Sequence, residues 1–213
     1  MNFLRLHSAI ERHTGLLIFG ILAVASIGGL VQVLPTTLDD ALSIPSADVV
    51  PYPPLELLGR DIYIRESCST CHSQQVRPLV AEVKRYGAYA GSGEFAYDRP
   101  FLWGSKRTGP DLLRLGGKYT DAWHRVHMND PRAVVAASIM PAYPWLAERK
   151  ADASGDIQAR LRALRTLGDP YSDEVVAGAP AAVEGKTELD ALIAYMQSLG
   201  RHPSTDADEH AGH

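Results

Sequence analysis

Cysteine is nearly absent from this chain: 213 residues hold two, Cys68 and Cys71, and both fall in one short stretch. With no thiol to spare, a structural disulfide is excluded if that pair is otherwise engaged, and stability has to come from packing or a bound group. No run of Lys or Arg occurs and the net charge is −4, which argues against a nucleic-acid partner. Also missing are a Gly-rich phosphate loop, an internal repeat and any convincing succession of alternating strands. The fold is therefore expected to be mainly α.

One long apolar run stands apart. Thr14 to Leu34, "TGLLIFGILAVASIGGLVQVL", carries no charge, and at ~1.5 Å of rise per residue it can cross a hydrocarbon core of ~30 Å. The apolar part of a cleaved signal peptide runs only ~7 to 15 residues, too short to match. Arg5 and Arg12 precede the run, while Asp39, Asp40 and Asp48 follow it. The basic flank is expected in the cytoplasm, and everything after Leu34 outside it. The expected organisation is a cytoplasmic N-terminus over 1–13, a single transmembrane helix over 14–34 in the lipid bilayer, a linker over 35–54, one domain over 55–201 and a disordered tail over 202–213. Prolines in "SIPSADVVPYPPLE" suit a semi-rigid spacer, since proline fixes φ and donates no backbone hydrogen bond.

Within the domain, Leu55 to Glu66 reads as a helix that leads into the cysteines. A short helix covers "DAWHRVHM", and Asp130-Pro131 reads as an N-cap and first-turn proline that open a helix through "RAVVAAS". Another helix is expected from about Gly155 to Leu167, closed by Gly168. Thr187 caps a last one, "ELDALIAYMQSL", whose Leu189, Leu192, Ile193, Met196 and Leu199 follow helical spacing before Gly200 stops it.

The chemistry concentrates in "RESCSTCHSQQVRP", residues 65–78. Two cysteines two residues apart with His72 behind the second fit a redox pair, half a zinc site or a covalent c-type haem attachment. A redox pair sits where a strand enters a helix of a βαβ unit, and the residues before Cys68 look helical. A structural zinc would need two more ligands, and His124 and His127 are closer together than the usual finger spacing. A haem needs only what is present: two thiolates for its two vinyl groups and an adjacent imidazole for its iron. Cysteines three positions apart project to neighbouring places around one helical turn, so both sulfurs reach one porphyrin edge and His72 becomes the proximal ligand.

A sixth ligand is sought among the methionines, because a thioether on iron suits an electron carrier. Met196 lies on the apolar face of the last helix and Met128 ends a short one; both read as packing. Met140 sits in "SIMPAYPW", where Pro141 and Pro144 force an extended path that can hold a sulfur against a haem face. Met140 is the expected ligand, with Met128, His124 and His127 as its rivals. His202, His210 and His213 stand in an acidic tail without fixed geometry and are not read as a metal site.

The stretches "GRDIYIRESCSTCHSQQVRP", "AEVKRYGAY", "GEFAYDRPFLWGSKRTGPDLLRLGGKY", "DAWHRVHMNDPR", "MPAYPWL" and "GKTELDALIAYMQSLG" together resemble the monohaem subunit II (CcoO/FixO) family of cbb₃-type cytochrome c oxidase. The resemblance covers nearly the whole chain. It implies a class I cytochrome c domain with long loop insertions, tethered in the bacterial inner membrane with the domain in the periplasm. It implies one covalently bound haem c and electron transfer from a dihaem cytochrome c subunit to the haem-copper catalytic subunit. In similar cytochromes the proline of "GPDL" turns its carbonyl toward the proximal histidine, here Pro110 and His72; the plain alternative is that Gly109-Pro110 is only a turn. The resemblance also implies that the first domain helix crosses the last, bringing Gly59 and Tyr63 against Leu192 and Tyr195. The runner-up is the cytochrome c subunit of nitric oxide reductase, which would be shorter and would lack the aromatic block. A sensor module would need an open coordination site, which a Met140 ligand closes.

That aromatic block gathers Tyr86, Tyr89, Phe95, Tyr97, Phe101 and Trp103 among glycines. Such a loop must bury its rings, either on its own domain or, as the resemblance favours, on the catalytic subunit. Beside it, Lys106 and Arg107 read either as partners of the haem carboxylates or as a solvated basic pair. The charged side chains of "RLRALRTLGDPYSDE" read as a solvated helix face.

Overall fold

The computed structural model describes residues 3–38, 44–46 and 48–201; the expected tail over 202–213, with its three histidines, lies outside them. The chain divides into two units on either side of Ile44 and Pro45. In the first, α1 (Phe3–Arg12) is followed by α2 (Thr14–Leu38). Thr14–Pro35 has a mean hydropathy of 2.3 and none of it is buried. By length and composition it is a candidate membrane span, since 22 residues make a helix of about 33 Å.

The second unit is helical, and its described residues form no strand beyond an isolated bridge between Lys150 and Thr187. Its elements are α3 (Pro54–Arg65), α4 (Val80–Tyr86), α5 (Asp121–Asn129), α6 (Pro131–Val134), α7 (Ile157–Thr166), α8 (Asp173–Val183) and α9 (Glu188–Ser198). Proline at the first turn starts α3 where no backbone donor is missed. In α9 the Thr187 hydroxyl accepts from the Asp190 amide while the Asp190 carboxylate accepts from Thr187 N–H, a reciprocal cap.

The core forms where α3 crosses α9. Leu57, Leu58, Ile62 and Tyr63 pack with Leu189, Leu192, Ile193, Tyr195 and Met196. Each such side chain contributes roughly 1.5–3 kcal/mol by leaving water. The crossing is close because Gly59 has no side chain: a Cβ there would stand 2.0 Å from Ala191 O and 2.7 Å from Tyr195 Cβ. Tyr195 meets Tyr63 and Tyr52 edge-on, each at 5.6 Å between centroids. Met196 and Met128 are both core residues.

The sequence-based elements need three corrections. The helix expected through "RAVVAAS" stops after one turn at Val134, and Val135 is extended with φ −131° and ψ 99°. Only Pro131 of that turn is buried, so no tertiary face supports continuation through two β-branched valines. Conversely, α4 and α8 arise where no helix was expected. In α8, Ser172 accepts from the Val175 amide, and Val176, Ala179 and Val183 bury one face despite Pro180 inside the helix.

The aromatic loop buries some of its rings on its own domain and leaves others exposed. Phe95 is buried, with Tyr86 and Tyr89 packed against its cluster with Val76 and Leu113. Phe101 and Trp103 stack on each other at 4.5 Å but stay 42 % and 38 % exposed. The loop is fixed to α3 by buried Arg60, whose Nε donates to Asp98 Oδ1 at 2.8 Å and whose Nη1 donates to Arg99 O at 3.0 Å.

Candidate haem-binding site

The end of α3 sets up the cysteines. Ser67 takes a left-handed conformation, φ 59° and ψ 30°, which turns the chain out of the helix into one 3₁₀ turn over Cys68–Thr70. His72 N–H then donates to Cys68 O at 2.9 Å. Cysteines and imidazole thus lie on one tight turn rather than on a continuation of α3. Both thiols are free and half-buried. Burial above all, helped by the Glu66 carboxylate, pushes the Cys68 thiol up to about 12. A redox-pair nucleophile needs the opposite shift. Among the described residues no group of three or more His, Cys, Asp or Glu side chains converges as a metal cluster would require.

His72 is oriented from several sides. Its Nδ1 lies 2.8 Å from Pro110 O, so the ring donates there and leaves Nε2 as the free lone pair. Gly109 lies flat against the ring, where a Cβ would come within 2.1 Å of Cε1. Tyr63 O–H donates to His72 O at 3.0 Å, and Gly109 N–H donates to Cys71 O at 2.9 Å. Segment 107–111 is therefore stitched to the cysteine turn along its length, which is more than a simple turn requires.

A polar network that the sequence did not reveal holds this arrangement. Asp111 Oδ2 accepts from Ser73 Oγ and from Gln75 N–H, and its Oδ1 accepts from Leu113 N–H at 2.9 Å. Arg107 donates to Glu82 Oε1 at 2.7 Å and Oε2 at 2.8 Å, to Ser73 Oγ at 2.7 Å and to Gln75 O at 2.6 Å. Arg107 is thus a partner of Glu82, Ser73 and Gln75 rather than a solvated cation; Lys106 remains exposed. The guanidinium of Arg107, with Arg77, holds the Glu82 carboxyl down to about 2 despite its burial. The "GPDL" motif contained Asp111 as a signal, but its partners Ser73 and Gln75 lie 38 and 36 residues away in sequence.

Met140 is half-buried, its N–H on Ser138 Oγ at 3.2 Å, in a segment without helix. Tyr143 N–H donates to Met128 O at 2.8 Å, tying this loop to α5. Met140 and Cys68 both pack against the main core, of which Met128 is a full member. His127 lies near enough to His72 that, after burial, the His72 ring is what depresses its basicity. Buried ring nitrogens of His124 and His127 have no partner. An unpaired imidazole lone pair and two free thiols on one turn form a donor set that suits a haem.

A cysteine–histidine turn at the end of a helix that crosses the last one, in a chain that also carries a candidate membrane span, suits a cytochrome c subunit. The family model described as cytochrome c oxidase, mono-haem subunit/FixO matches residues 7–187. The chain belongs to this family and is a haem-containing subunit of a cytochrome c oxidase complex. No curated protein matches it.

Proposed function

We propose that the chain binds one haem c covalently through Cys68 and Cys71, with His72 and Met140 as axial ligands, and passes electrons from a dihaem cytochrome c subunit to the haem-copper catalytic subunit of a cbb₃-type oxidase. The observation that carries this is the His72 Nδ1 to Pro110 O bond, 2.8 Å long, on a turn that also holds both thiols. When bound, the group would supply a one-electron couple. The residues' part is to hold it. His72 keeps Nε2 for the metal because Pro110 engages the other nitrogen, which also strengthens the ligand. Met140 supplies a polarizable thioether that favours the reduced state. Arg107, Glu82 and Asp111 fix the loop that carries Pro110.

In this proposal residues 14–34 anchor the chain in the bacterial inner membrane, residues 1–13 face the cytoplasm, and residues 55–201 stand in the periplasm after a linker over 35–54. The exposed Phe101–Trp103 stack serves as an anchor on the catalytic subunit. The test is purification of the tagged full chain from membranes in mild detergent. Haem-copper and dihaem subunits are expected with it, and reduced dihaem subunit should deliver electrons through it to oxygen. Isolation of the chain without either subunit, or oxygen reduction that proceeds undiminished in a complex lacking it, would refute the proposal.

A further inference from the structure

Three of the five buried side-chain atoms recorded without a hydrogen-bond partner among the described residues are ring nitrogens on one turn of α5: Nδ1 and Nε2 of His124, and Nδ1 of His127. His124 is 1 % exposed. An unmatched buried polar group costs about 1–3 kcal/mol, so such a concentration needs a cause. The surroundings offer rings rather than acceptors. Trp123 and Tyr119 meet His124 edge-on at 5.3 and 6.2 Å, and Trp123 stacks on His127 at 4.6 Å. Three residues apart, the two histidines share one face of α5.

A neutral imidazole has one N–H to give and one lone pair. Burial holds both histidines below the ordinary imidazole value, and Tyr143 N–H on Met128 O at 2.8 Å ties their helix to the loop that carries Met140, the expected sixth ligand. A haem brings acceptors of its own, the two carboxylates on the edge away from its vinyl groups. Of the two cations that the sequence offered for those carboxylates, Arg107 is already engaged by Glu82, Ser73 and Gln75, and Lys106 stays exposed. Buried donors without partners on α5 thus match the acceptors that such a group brings.

We propose that His124 and His127 are positioning residues whose ring N–H groups donate to the carboxylate edge of the haem held by Cys68, Cys71 and His72; this rests on the haem assignment above. Neutral donors orient the tetrapyrrole and stabilise its carboxylates without placing another cation beside the iron. Their loss leaves less compensated negative charge near the metal, which favours the oxidised state.

The test uses the full chain with its haem attached, in detergent. An alkaline pyridine spectrum first establishes covalent haem. Resonance Raman spectra then follow the bending band of the haem carboxylates in light and heavy water. A shift in heavy water is expected in the unaltered chain. His124→Phe and His127→Phe should each diminish it and lower the reduction potential while retaining the sulfur-to-iron absorbance, and the corresponding Gln variants, which keep a donor, should restore both. Haem-loaded chain without a shift, or a shift undiminished in both Phe variants, would overturn this proposal alone. So would loss of the sulfur-to-iron absorbance in either Phe variant, which would make that histidine part of the ligand set. If the Phe variants fail to accumulate, the unaltered chain and the Gln variants still decide. Absence of covalent haem would overturn both proposals.

Discussion

Gly59 of α3 meets Ala191 of α9 so closely that a Cβ on the glycine would stand 2.0 Å from the alanine carbonyl oxygen. That oxygen is backbone and cannot swing aside. Gly59→Ala must therefore separate the two helices that form the core, and overpacking of this kind costs about 1–3 kcal/mol or more. Urea denaturation of the full chain in detergent should show the loss. A midpoint unchanged from the parent would mean that the helices do not cross at this contact.

The Glu82–Arg107 pair gives an acid-sensitive contribution to stability. Its carboxyl is held at about 2, below the ordinary 4.5, so the folded state favours the ionised form. This stabilisation is fully present above about pH 4.5 and is lost as pH falls toward about 2. Glu82→Gln should cost about 1.5–3 kcal/mol near neutrality and progressively less in acid. Denaturation midpoints across that range check it; a penalty that is constant with pH would place the stabilising contact elsewhere.

Phe101 and Trp103, stacked on one another and exposed, have the character of interface anchors, which typically carry ~2 kcal/mol or more each. Replacing both by Ala should weaken retention of the catalytic subunit during purification while leaving the haem spectrum intact. A damaged spectrum with retained assembly would mean that the pair supports the domain rather than the interface.

How much of this was legible in the sequence depends on the range of each interaction. The α3 and α9 helices follow from local spacing and caps, and the pair of cysteines with His72 from three adjacent signals. The Arg107–Glu82–Asp111 network could not be read, because its members are scattered and an ion pair leaves no periodicity. Helix α8 contains Gly178 and Pro180, residue types that weaken or break a helix, although Ser172 and the acidic first turn carried an N-terminal signal. The segment after Val134 was overextended for the opposite reason: a good cap at Asp130 starts a turn, but only a buried face would have continued it.

Met140 and Met128 are separated by their surroundings. Met128 is 7 % exposed within the core, whereas Met140 is half-buried in a loop. Met140→Ala should abolish the sulfur-to-iron absorbance of the oxidised protein and lower its reduction potential, since axial ligands as a set span about 0.8 V. Met128→Ala should keep that absorbance and lose about 2–5 kcal/mol of stability. The reverse pattern would move the sixth ligand to the end of α5.

The electron-transfer role of the site depends on a haem joined to Cys68 and Cys71. The haem-loaded full chain, extracted with acidified acetone, answers this directly. All colour should stay with the polypeptide, and an alkaline pyridine spectrum of the residue should be that of a haem with both vinyl groups saturated. Cys68→Ala should shift that spectrum toward a single remaining linkage. Colour that passes into the solvent from the unaltered chain would contradict covalent attachment.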